Sequence, residues 1–261
     1  MSDSIPIIEL RDVELAYGSR ILIQGISTRV QAGQIFVIMG GSGCGKSTLM
    51  RQMAGLKETT RGQILYGGVD FIAASEAERT QLSRQFGVMF QSGALWSSMT
   101  VGENIALPLE EHSSLDPATI REVVRLKLSS VGLQGAEDYY PSELSGGMVK
   151  RASIARAMAL DPAIVFLDEP SAGLDPLSSR RLDDLILRLR DTLGTTFVVV
   201  THELPSIFTI ADHSIFLDPQ TRAVRASGNP RELARTTADP LVRNFLNRTE
   251  PDASPASPAT P

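Results

Sequence analysis

The sequence predicts an α/β fold with a mainly parallel sheet, and three patterns carry that expectation. Apolar runs of strand length, residues 35–39, 87–90, 163–167 and 196–200, recur with helical patterns between them. Such runs mark strands buried on both faces, and their alternation with helices favours parallel pairing. A glycine-rich turn at residues 40–47 joins the first run to a helix over 47–56. Residues 92–159 then break the alternation and read as mostly helical, a subdomain inserted into the sheet domain.

The elements follow in order. Residues 7–10 and 13–15 read as short β segments, and 35–39 as the first fully buried strand. Inside the helical stretch Asp116 is an N-cap and Pro117 the first helical residue. Ile120, Val123, Val124, Leu128 and Val131 form one apolar face, and Gly132 stops the helix. Residues 249–261 are rich in Pro, Ala and Ser with no apolar period. They read as a disordered tail, 248–261, leaving 5–247 as the folded domain.

Composition narrows the function. The 261 residues suit one α/β domain with an inserted subdomain. The 25 basic and 30 acidic residues give a net charge of −5, which argues against a nucleic-acid partner. The single cysteine, Cys44, excludes an internal disulfide framework and fits a reducing compartment. Residues 1–10 show no signal peptide, and no apolar run approaches the roughly 20 residues that span a bilayer. The expectation is a soluble chain; spans for any membrane process come from another chain.

Gly40, Gly41, Ser42, Gly43, Cys44, Gly45, Lys46 and Ser47 fit the phosphate-loop pattern G-x-x-x-x-G-K-[ST]. Glycines let the backbone curl so that several N–H groups point at one anion, and the following helix adds its unpaired donors. Lys46 can reach the β- and γ-phosphates of ATP, and Ser47 can ligate Mg²⁺. The apolar run 163–167 ends in Asp168 and Glu169. Strand C-termini face the ligand crevice in such folds, so Asp168 is placed to hold Mg²⁺ and Glu169 to take a proton from an attacking water.

A second anion site is expected at Leu144, Ser145, Gly146, Gly147 and Met148, before a helix holding Lys150, Arg151 and Arg156. Ser145 caps that helix and the glycines expose backbone donors. These residues resemble the signature of the ATP-binding-cassette (ABC) ATPase family, with Met148 where Gln is usual; the resemblance covers roughly residues 7–246. It implies a P-loop NTPase domain with a mainly parallel core sheet, an antiparallel β subdomain and the inserted helical subdomain. It also implies a head-to-tail pair, in which Ser145, Gly146 and Gly147 of one copy close on ATP held by the other. Tyr17 resembles the aromatic residue that stacks on adenine, and Thr48 completes the nucleotide set. Gln91 resembles the residue that senses Mg²⁺ and the attacking water, residues 171–175 the loop that crosses the dimer interface, and His202 the switch histidine on the γ-phosphate.

Residues 92–109 contain the only tryptophan, Trp96. The resemblance makes this surface the receiver of a permease coupling helix, a helix-in-groove contact; the other reading packs Leu95 and Trp96 inside the helical subdomain. The wording of residues 90–109, of 143–157 around Met148 and of 239–246 is similar to ATPase subunits of Mla/Mce-type transporters. That likeness implies phospholipid transport that maintains outer-membrane asymmetry, an integral-membrane permease, an Mce-domain partner, and a place on the cytoplasmic face of the bacterial inner membrane. An importer of amino acids or other small solutes is the alternative, and a non-transport ABC ATPase a more distant one.

Overall fold

The computed structural model describes residues 5–17, 20–218 and 220–248; the expected tail beyond residue 248 lies outside them. Among the described residues the strands are β1 (Ile8–Tyr17), β2 (Arg20–Val30), β3 (Ile35–Gly40), β4 (Arg61–Tyr66), β5 (Val69–Asp70), β6 (Phe86–Met89), β7 (Ile164–Asp168), β8 (Thr196–Val200), β9 (His213–Asp218) and β10 (Ala223–Gly228). The helices are α1 (Lys46–Met53), α2 (Glu76–Ser83), α3 (Val101–His112), α4 (Pro117–Ser130), α5 (Gly146–Ala157), α6 (Pro176–Leu193), α7 (Leu204–Ile210), α8 (Pro230–Thr236) and α9 (Pro240–Asn247).

The main sheet has the order β10-β9-β3-β8-β7-β6, parallel throughout except for β10 on β9. A separate antiparallel sheet has the order β2-β1-β4-β5. The two short segments expected at 7–10 and 13–15 are one strand, β1, broken in register where Asp12 takes φ +49°. Gly62 on β4 faces that bulge: a Cβ there would sit 2.4 Å from the Asp12 carbonyl oxygen.

Successive side chains of a strand enter opposite cores. Val37, Val165 and Val199 join the cluster made with the helices, including Leu182, Leu185, Ile186 and Leu189 of α6. Ile38, Phe166 and Val198 join the cluster under the antiparallel sheet and α1, with Ile8, Ile26, Leu49 and Ile64. Double-sided burial is why these strands read as unbroken apolar runs.

Helices α3, α4 and α5 follow β6 and precede β7. Asp116 caps α4 by accepting from the backbone of Ala118 and Thr119 at 2.9 and 3.2 Å, with Pro117 at N1. This satisfies helix-start donors that lack an intrahelical partner. Ile120, Val124 and Leu128 are buried and Gly132 takes φ +70°, the expected face and stop. No described helix is long and apolar enough to cross a membrane.

Candidate nucleotide site

Strands β7 and β8 end level, since Val200 pairs with Asp168, and β3 runs alongside with Ile38 opposite Val200 and continues two residues to Gly40. The segments that leave them therefore emerge together at the C-terminal edge of a parallel sheet, where ligands gather. Gly43 and Gly45 take φ +74° and +95°, and Gly45 opens α1 without a side-chain cap. Gly40 passes so close to β9 that a Cβ would lie 2.3 Å from the Leu217 carbonyl oxygen. The loop thus presents backbone donors and a helix N-terminus, the chemistry that holds an anion.

Lys46 folds over its own loop and donates to the carbonyls of Gly40 and Gly41, each at 2.9 Å. The Ser47 hydroxyl donates to Asp168 Oδ1 at 2.7 Å, joining the loop to the end of β7. Arg51 stands 3.8 Å from the other oxygen of Asp168. Glu169 takes φ +48°, a conformation that costs a non-glycine residue about 1 kcal/mol or more. Its backbone N–H bonds Val200 at 2.8 Å, and its Oε1 lies 2.8 Å from His202 Nδ1. Glu169 Oε2 is buried without a partner among the described residues. A strained backbone therefore aims an acceptor into the site and ties it to the ring on the neighbouring strand end.

Lys46, Ser47, Glu169 and His202 line one cavity of about 600 Å³, a size that suits a small-molecule ligand, whereas Asp168 is buried and touches it only through Ser47. Its wall includes residues 40–43 and 45–48, Gln91, Glu169 and His202, and also Leu22 and Phe245. Cys44 is not part of that wall. Its thiol is buried, and burial pushes its pKa up, so the ligand has access at most to its main chain. Tyr17 ends β1, but its side chain lies outside the described residues.

Ser145, Gly146 and Gly147 do not reach this cavity. Ser145 caps α5 by accepting from Met148 N at 3.3 Å, and Ser145 and Gly147 line a separate cavity of about 320 Å³ against α6. The cations that follow them are engaged elsewhere. Lys150 donates to the backbone carbonyl of Gln91 and, at 3.4 Å, to that of Glu169. Arg151 bonds the Gly132 carbonyl at 3.0 Å and Arg156 the Ala94 carbonyl at 2.6 Å. The expected second anion site therefore consists of a capped helix start, and its lysine and arginines are staples for loop carbonyls. The sequence carries no signal for this, because a carbonyl partner leaves no complementary charge to find.

The segment after Gln91 divides as neither sequence reading expected. Trp96 is 59% exposed, whereas Leu95 packs on the main core. Asn104, fully buried, holds the loop by accepting from Trp96 N at 2.7 Å and donating to the carbonyls of Trp96, Met99 and Thr100. Beside it runs a groove of about 510 Å³ whose wall includes Gly55, Phe71, Arg79, Pro108, His112 and Arg156.

Comparison with known proteins gives concordant results. The family model described as ABC transporter matches residues 23–172. The chain is 41% identical over 241 residues to the intermembrane phospholipid transport system ATP-binding protein MlaF of Escherichia coli (strain K12), covering 92% of this chain and 88% of that protein. It is 39% identical over 240 residues to the probable ribonucleotide transport ATP-binding protein mkl of Mycobacterium leprae (strain TN), covering 92% and 68%. Its structure is similar to that of the dimeric ATP-binding cassette MJ0796 in a post-hydrolysis state bound to ADP and Pi, with a TM-score of 0.76 and 27% identity over 85% of this chain and 98% of that one.

Proposed function

The chain belongs to the ABC transporter family, and on that premise we propose that it is the ATP-hydrolysing subunit of a membrane transporter of phospholipid. The ATPase reading rests on one juxtaposition: the Ser47–Asp168 and Glu169–His202 pairs meet at a single cavity floored by the phosphate loop. Lys46 leaves its loop carbonyls for the β- and γ-phosphates. Glu169, whose second oxygen is buried without a partner among the described residues, accepts the proton of the attacking water. His202 orients that carboxylate and meets the γ-phosphate. Ser47 and Asp168 offer converging hard oxygen donors, which fits Mg²⁺. Together with Gln91 they would hold the ion, whose charge neutralises the phosphates.

Ser145 and Gly147 line a different cavity from the loop. This supports a site completed by a second copy, as does the likeness to a cassette solved as a dimer. The groove walled by Pro108 and Arg156 suits a coupling helix of a permease, since Arg156 also holds the Ala94 carbonyl in the loop that precedes Trp96. Glu169→Gln tests the ATPase reading. ATP binding should persist, hydrolysis should fall by roughly 10²–10⁴-fold, and a dimer should accumulate on size exclusion with ATP. Wild-type turnover in that variant refutes the assignment.

The cargo reading rests on the 41% likeness to MlaF, which is named for phospholipid. The mycobacterial relative is named for ribonucleotide. Peripheral attachment to the cytoplasmic face of the inner membrane, through a permease and beside an Mce-domain protein, belongs to the same reading. ATPase turnover of the complex purified with its permease decides. Stimulation by phospholipid vesicles supports it; stimulation by ribonucleotides or amino acids, with none by lipid, overturns it.

A further inference from the structure

One part of the nucleotide cavity is not explained by phosphate binding. Among the described residues its lining consists of glycines, hydroxyls, an amide and ionisable groups, with two exceptions: Leu22 on β2 and Phe245 on α9. Both are half-buried. Leu22 packs on the core beneath the antiparallel sheet, and Phe245 on the core shared with the helices. The two cores therefore each send one apolar side chain to the same wall.

Phe245 is held there by a rigid mount. Its ring meets Phe216 edge to face, with centroids 5.1 Å apart at 67°. Phe216 immediately precedes Leu217, the residue whose carbonyl abuts Gly40. Val242 and Leu246 of α9 are buried on either side in sequence. At the helix start Asp239 accepts from the backbone of Leu241 and Val242 at 2.9 and 3.3 Å. Arg225 then bridges Asp239 and the buried Asp218 at 2.8 and 2.9 Å. At the helix end the Asn247 amide bonds the Ala234 carbonyl at 3.3 Å.

A triphosphate needs donors and positive charge, and an aromatic ring beside a leucine supplies neither. Such a surface is matched to the uncharged part of the ligand, where stacking and apolar contact are favourable. We infer that Phe245, with Leu22, contacts the adenosine moiety of ATP bound in the same chain, so that α9 is a wall of the nucleotide site. The inference rests on the ATP reading above.

The test is calorimetric titration of the full chain with ATP, ADP and inorganic tripolyphosphate, for wild type, Lys46→Ala, Phe245→Ala and Phe245→Leu. Because Phe245→Ala also removes packing on Phe216, thermal melts accompany it, and Phe245→Leu keeps an apolar filler. ATP and ADP should bind about tenfold more weakly to Phe245→Ala and by a smaller factor to Phe245→Leu, from loss of ring contact. Tripolyphosphate binding should stay within twofold of wild type in both. The inference is overturned if ATP affinity stays within twofold in Phe245→Leu and in folded Phe245→Ala. It is equally overturned if tripolyphosphate weakens in parallel with ATP, since α9 then acts on the loop rather than on adenosine. Failure of the ATP reading looks different: wild type itself does not bind ATP, or Lys46→Ala binds it equally well.

Discussion

Asp183 lies on α6 with 3% of its surface exposed. Ser206 of α7 donates to its Oδ2 at 2.9 Å, while Oδ1 is buried without a partner among the described residues. Burial pushes its carboxyl pKa up to about 6 from 3.8; nearby Asp184 adds to the rise and Arg180 opposes it. The folded protein thus holds this proton more tightly than the unfolded chain. The contribution to stability is intact below the unfolded pKa, declines as pH rises from about 4 to about 6, and is flat above. About two units at 1.36 kcal/mol each set a ceiling of about 3 kcal/mol conceded at pH 7.5, with about half conceded by pH 5. Asp183→Asn removes the charge and keeps an acceptor for Ser206. Its new N–H lacks a partner, at a cost of about 1–2 kcal/mol. The net expectation is a gain of about 1–2 kcal/mol at pH 7.5 that shrinks or reverses by pH 4.5. Urea unfolding of both proteins at the two pH values measures it, and the difference between them cancels every other carboxylate. Parallel pH profiles, or a variant less stable at both, refute the reasoning.

Two further outcomes follow from the site. Asn104→Ala should lower stability by about 2–3 kcal/mol, since it removes a fully buried amide whose four hydrogen bonds hold the loop that ends in Thr100, whereas Trp96→Ala should leave the melting temperature unchanged and weaken only permease binding in a pull-down. Lys150→Met should lower kcat about tenfold with KM for ATP within twofold, because Lys150 positions the backbone of Gln91 and Glu169 without lining the nucleotide cavity; an equal loss in KM would contradict that role.

The parts legible in the sequence were those that bury both faces of a strand. β3, β7 and β8 read as apolar runs, and the groups at or just past their ends, residues 40–47, Asp168, Glu169 and His202, inherit their place from the C-terminal edge of these parallel strands. β9 was not legible. Its apolar stretch is only Ile215, Phe216 and Leu217, and Asp218 is fully buried there because Arg225 and the turn through Thr221 satisfy it. β2 hid for another reason: polar residues and Gly25 interrupt it, and pairing with β1 rather than burial defines it. Phe245 carried no signal of its own, since nothing along the chain places α9 beside the loop of Gly40.

The basic residues of α5 show how a cluster of charge in sequence can serve the backbone of its own chain. Lys150, Arg151 and Arg156 follow Ser145–Gly147 closely enough to suggest an anion cradle, yet each is spent on a carbonyl of its own chain. Their effect is to make α5 a rigid strut. One end carries the capped start that lines the cavity against α6; along its length hang Gln91 and Glu169, through Lys150, and the Gly93–Ala94 turn, through Arg156. Within this turn Gly93 sits so close to α5 that a Cβ would lie 2.7 Å from Ser153 Oγ, so loop and helix pack without room for a side chain between them. Gln91 and Glu169 of the nucleotide cavity are thus tied to α5 through the side chain of Lys150.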